Sequence, residues 1–190
     1  MRKRHQNVRL TNPAVMGLLV STFMAVIVTT AQTPKIPLPQ EQSHFELEQD
    51  LAAPVALPDN VLEMLRRDPI VLASRCVEPG QPSEQISASF FEASRLHLHS
   101  SHQADLIVKP KNPCLSGANI GPFWIFRHIS DRYKLILSVS ALGLEILNSR
   151  SHGYRDLLAG AVIAGKVVNV TYKFDGNTYQ EFKAKAAEIH

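Results

Sequence analysis

No proline occurs after Pro122, although twelve fall within the 190 residues. A proline-free stretch can carry unbroken hydrogen-bonded ladders, so the compact core is expected toward the C-terminus. Cysteine is scarce too, limited to Cys76 and Cys114. Neither stands in a motif that would activate a thiolate, which excludes a recognisable catalytic cysteine. There is no G-x-S-x-G, no H-E-x-x-H and no pair of carboxylates on a recognisable scaffold, so the common hydrolase signatures are missing. Acidic residues are absent from residues 1–31, where Arg2, Lys3, Arg4 and Arg9 all lie.

Those first 31 residues have a pattern of their own. The basic start precedes an uncharged run from Ala14 to Ala31 that ends in the small-x-small site Thr29-Thr30-Ala31. A charged start, a short apolar stretch and small residues at the cut are the marks of a secretory signal. Residues 1–31 are therefore read as a signal peptide. The alternative is a retained membrane anchor over residues 14–31, since the run approaches the ~20 residues a bilayer span needs. Removing the segment leaves 16 basic against 17 acidic residues, a net charge of −1. With no Lys/Arg cluster left, nucleic acid is not expected as a partner.

Residues 32–58 mix five prolines with polar residues and read as an extended linker. Asp59 then stands as an N-cap before a short helix whose apolar face is Val61, Leu62 and Leu65. Asp68-Pro69 should end it, because a residue before proline avoids the helical region. From about residue 86 the runs ISASFFEA, RLHLHS, ADLIV, FWIFRHI, YKLILSV, LGLEIL, KVVNVTYKF and TYQEF have strand character. Asp175-Gly176 is the clearest hairpin turn. Residues 59–182 are expected to form one β-rich domain, and 183–190 a tail that frays or turns helical. In an oxidising compartment Cys76 and Cys114 are expected to pair as a disulfide.

One short pattern repeats. Ser101-His102-Gln103-Ala104-Asp105-Leu106 echoes Ser151-His152-Gly153-Tyr154-Arg155-Asp156-Leu157 with one residue inserted. Each copy leads into a strand and then a hairpin with a tyrosine on its return strand, which suggests two related units packing against each other. The ordered segments FEASRLHLHSSHQADLIV, CLSGANIGPFWIFR, HGYRDL and YKFDGNTYQ resemble a group of exported bacterial proteins. That group carries an FG-GAP-like acidic turn, then CLxGANxxPFWxF, NGYRDL and YxFDGxxY. The resemblance spans about residues 58–180, implies an exported bacterial domain, and brings no established activity with it. Here the turn runs from His97 to Asp105 and keeps only Asp105 of its acids. Calcium takes roughly 6–8 oxygen ligands, so this turn is too poor to hold it.

Asp105 and Asp156 are accordingly read as turn-bracing residues, like Asp175 and Gly176. His97, His99 and His102 form an H-x-H-x-x-H cluster. Neutral imidazoles so spaced suit zinc, copper or nickel, and the alternative is a solvated strand face. Gly117 to Pro122 leads into a strand, unlike a phosphate-cradling loop, which leads into a helix. The aromatics from Phe123 to Tyr179 are read as sheet core.

The expected fold class is thus α+β, predominantly a twisted antiparallel sheet with a short N-terminal helix beside it. The expected function is a non-enzymatic binding or structural module of the periplasm or cell envelope. Two alternatives stand beside it: a secreted hydrolase or metal-dependent enzyme using His97–His102, and an inhibitor of an envelope-attacking enzyme presenting loop 109–122. No cofactor is expected. The expected partner is a protein or envelope component, with membrane contact only through residues 14–31 if they are retained.

Overall fold

Ten strands and two short helices make up the fold in a computed structural model that describes residues 42–77, 85–100 and 103–188. The expected signal peptide lies outside the described residues. Strand β1 (His44–Glu46) and strand β2 (Pro54–Val55) come first, followed by α1 (Asp59–Arg66) and α2 (Pro69–Leu72). The remaining strands are β3 (Phe91–Leu96), β4 (Asp105–Pro110), β5 (Gly121–Ile129), β6 (Arg132–Ala141), β7 (Gly143–Ser151), β8 (Tyr154–Ile163), β9 (Lys166–Phe174) and β10 (Tyr179–Glu188). No helix among the described residues is long and apolar enough to cross a membrane.

The strands form two five-stranded antiparallel sheets rather than the single sheet expected. An inner sheet runs β2-β3-β4-β5-β6 and an outer sheet runs β1-β7-β8-β9-β10. Leu142 is the crossing point, leaving β6 in one sheet and entering β7 in the other. One core fills the space between the sheets, with Phe45, Ile107, Phe123, Ile125, Leu144, Leu157 and Phe174 among its members. A second core fills the other face of the inner sheet, where Val61, Leu65 and Val71 of the helices meet Leu106, Val108, Trp124 and Phe126. The layers are therefore sheet, sheet and helix.

This layering explains the composition of the central strands. Every residue of β4 is buried, and β5 sends Phe123 and Ile125 to one core and Trp124 and Phe126 to the other. A sheet covered on both faces needs near-continuous apolar runs rather than alternation. The short helices are set by local chemistry. Pro58 occupies the position before α1 without a side-chain cap, so Asp59 is the first helical residue and not the cap. Asp68 caps α2 through Ile70 N–H and also accepts from Ser138 Oγ, which ties the helical layer to β6.

Two boundaries differ from expectation. The linker expected over 32–58 is ordered from residue 42 onward, because β1 pairs with β7 and β2 with β3. The expected tail at 183–190 is strand through Glu188, because β10 pairs with β9 along its whole length around a bulge at Phe182. Lys183, Lys185 and the alanines have no strong strand preference of their own; the ladder to β9 overrides it.

The Cys76–Cys114 disulfide is formed, with Cα atoms 5.2 Å apart across a separation of 38 residues. It joins the segment after α2 to the turn between β4 and β5. Replacing both cysteines with serine is expected to lower stability by about 2–4 kcal/mol in urea unfolding. A Leu65→Ala variant, emptying the helix–sheet core, is expected to cost about 2–5 kcal/mol in the same assay.

Candidate functional site

A cluster of buried polar and aromatic groups forms around Asp105 and Asp156. Strand β4 begins with Asp105, which is 3% exposed and accepts a hydrogen bond from His128 N–H on β5 at 3.1 Å. The backbone N–H of Leu98 also donates to it. Burial raises the Asp105 carboxyl above its ordinary range, against the opposing effect of these amides and of Arg127 and His99 nearby. On the opposite sheet Asp156 is 1% exposed. Its Oδ2 accepts from Ser149 Oγ at 2.7 Å, while its Oδ1 is buried without a partner. Asp105 thus joins the segment before its own strand to β5, whereas the one bond of Asp156 runs to Ser149 on β7 and not to the turn before β8.

Aromatic rings fill the space between these acids. Tyr154 stacks on Phe174 with ring centroids 4.3 Å apart, and Phe174 on Tyr179 at 5.4 Å. The Arg127 guanidinium lies 5.2 Å from the Tyr154 ring centroid, a range in which cation–π attraction operates. Tyr179 donates its hydroxyl to Arg155 O at 2.6 Å. Burial, with Asp105 next in effect, pushes its phenol far above the ordinary tyrosine range. Burial likewise raises Tyr154. Arg150 and Arg155 complete the network by donating to backbone carbonyls of Leu98, Gly153, Leu147 and Ile146.

The histidines fall in different places. His97 is exposed just past β3, and His99 packs its ring 5.2 Å from Tyr154. His102 lies outside the described residues. No group of three or more His, Cys, Asp or Glu side chains arranged for a metal occurs among the described residues. His152 has a different role: it sits at φ 48° in the β7–β8 turn and bonds Phe174 O through Nδ1 at 2.8 Å. At the far hairpin Asp175 Oδ1 accepts from the backbone of Asn177 and Thr178, which lowers its pKa, and Gly176 takes φ 105°. Arg127, Tyr154, Tyr179 and Arg155 were not singled out by sequence as a cluster. The only available signal was the second echo itself, which contains Tyr154-Arg155-Asp156.

Clefts open on the surface of the described residues at three places of note. One of about 380 Å³ lies on the outer sheet beside β1, β7, β8 and β9. A second, about 470 Å³, borders the disulfide between α2 and the 114–122 segment. The third, about 440 Å³, has Lys109 and Glu92 in its lining. These two form a buried ion pair at 3.4 Å, and Lys109 also donates to Leu47 O. Asp105, Asp156 and Tyr179 line none of the three. Compared with family models, curated proteins and solved structures, the chain matches none.

Because the folded-state pKa of Asp105 is raised above its value of 3.8 in the unfolded chain, ionising it weakens the fold. Its contribution is complete below about pH 3.8 and disappears as pH rises through the raised value. Asp105→Asn removes that titration. The stability of the parent relative to the variant should therefore fall as pH is raised across that window. Urea unfolding of both proteins at closely spaced pH values checks this, and parallel pH profiles would contradict it.

Proposed function

We propose that this chain is an exported protein whose β-sandwich serves as a non-enzymatic binding or structural module in the periplasm or cell envelope. The observation that carries the reading is the placement of the buried titratable groups. Asp105, Asp156 and Tyr179 engage backbone or neighbouring side chains and line none of the three clefts described above. An enzyme would instead converge such groups on a cavity. Export is supported by the pattern of residues 1–31 and by the Cys76–Cys114 bond, which suits an oxidising compartment. The resemblance to exported bacterial proteins agrees with both.

The same reading takes the two sheets as related units. Each is a meander of four consecutive strands with one N-terminal strand added at its edge. Asp105 and Asp156 fall on β4 and β8, which occupy the same place in the two orders. An inhibitor role for loop 109–122 has one specific support. The disulfide, the Asn112 cap on Cys114 N–H and the bonds from Lys111 and Asn112 N–H to Phe90 O fix the base of that loop.

Fractionation of cells producing the chain tests the proposal. The processed protein should begin at Gln32 and be recovered from the periplasmic or envelope fraction, with envelope components retained on it in a pull-down. An unprocessed chain confined to the cytosol would overturn the reading.

A further inference from the structure

The cleft on the outer sheet combines three features that the fold itself does not require. The first is its floor. Gly143 and Gly160 face each other across β7 and β8 as register partners, and neither has a positive φ. A Cβ at Gly143 would meet Phe45 O at 3.1 Å, so packing against β1 accounts for that glycine. Gly160 differs. The one atom near its absent Cβ is Oδ1 of the Asn169 side chain, at 3.2 Å, which a small movement would clear. A glycine inside a strand weakens it, and where backbone geometry does not demand one it marks a close approach by something else.

The second feature is the walls. Leu142 is 41% exposed and Val162 43% exposed, and both line the cleft with Gly160. The third is charge. Glu46, Glu48 and Glu145 are exposed around the cleft, and its lining contains no lysine or arginine. His44 bonds to Glu46 at 3.2 Å. Glu48 and Glu145 make no ion pair among the described residues. An apolar trough edged by carboxylates, of which Glu48 and Glu145 make no ion pair among the described residues, complements a ligand with a cationic head and an apolar body. At about 380 Å³ the trough is at the small end of small-molecule sites.

We propose that this trough binds a small amphipathic amine, its ammonium group among Glu46, Glu48 and Glu145 and its alkyl body over Gly160 between Leu142 and Val162. The assignment names a ligand class for the binding module proposed above and rests on that reading. The apolar body supplies the burial, and the carboxylates choose the sign of the head group, because charge complementarity contributes mainly selectivity.

The probe is octylammonium chloride, titrated below its micelle concentration into the full chain, with octanoate and 1-octanol as comparisons. Amide shifts are followed by NMR. Saturable shifts are expected on the outward positions of β7, β8 and β9, with octanoate binding at least about tenfold more weakly. The E48Q/E145Q double variant should lose about tenfold for octylammonium, about threefold per exposed carboxylate, and keep its response to octanol. Gly160→Val should abolish binding of all three probes while leaving the spectrum folded. If that variant does not fold, the double variant decides. Absence of saturable shifts, equal binding of octanoate, shifts confined to another cleft, or unchanged octylammonium binding by E48Q/E145Q or by folded G160V would each overturn the assignment. A chain recovered from the envelope that fails to bind octylammonium removes the ligand class alone. A chain held unprocessed in the cytosol removes the module.

Discussion

Burial of the inner sheet on both faces is the constraint from which the rest of the architecture follows. Helices α1 and α2 cover one side and the outer sheet covers the other. Each strand of the inner sheet must then supply apolar side chains in both directions, and β4 and β5 do so almost without interruption. Among the described residues no third layer covers the far face of the outer sheet. That difference places the tightly packed residues in the middle of the molecule and leaves the accessible surface of β7, β8 and β9 for contact.

A second consequence concerns the polar groups caught at the end of the sandwich. Asp105 and Asp156 sit where two sheets and several turns converge, and water is excluded from both. Buried carboxylates are tolerated only with donors directed at them. Asp105 has two backbone amides, whereas Asp156 has a single serine hydroxyl and one oxygen left without a donor. The two echoed positions are therefore unequal in their hydrogen bonding.

Much of this was legible in the amino-acid sequence. The β-rich class, the short helix near residue 60, the disulfide and the Asp175-Gly176 hairpin all followed from local signals that the tertiary structure reinforces. The division into two sheets did not. Nothing between YKLILSV and LGLEIL marks a change of sheet, because Leu142 makes that crossing within an otherwise continuous apolar pattern. The turns at His152-Gly153 and Ala164-Gly165 were also hard to see. Positive φ at both central residues suits a tight hairpin, yet histidine and alanine in the first place are weak signals compared with asparagine or aspartate. The Asp105 cluster was half visible through its echo, since its aromatic and arginine members come from β5, β7, β8, β9 and β10 and meet only through long-range pairing.

The first described strands carry a consequence for how the chain reaches its final form. Residues 44–46 belong to the outer sheet and 54–55 to the inner one, so the intervening segment is a stitch between the two layers, fastened at its start by Lys109 to Leu47 O. A polypeptide synthesised from its N-terminus makes this stitch early and can close it late, because β1 has no neighbour until β7 has emerged. Until then the inner sheet can assemble with its sandwich face uncovered, an interval in which helpers that shield nascent apolar surface would matter most.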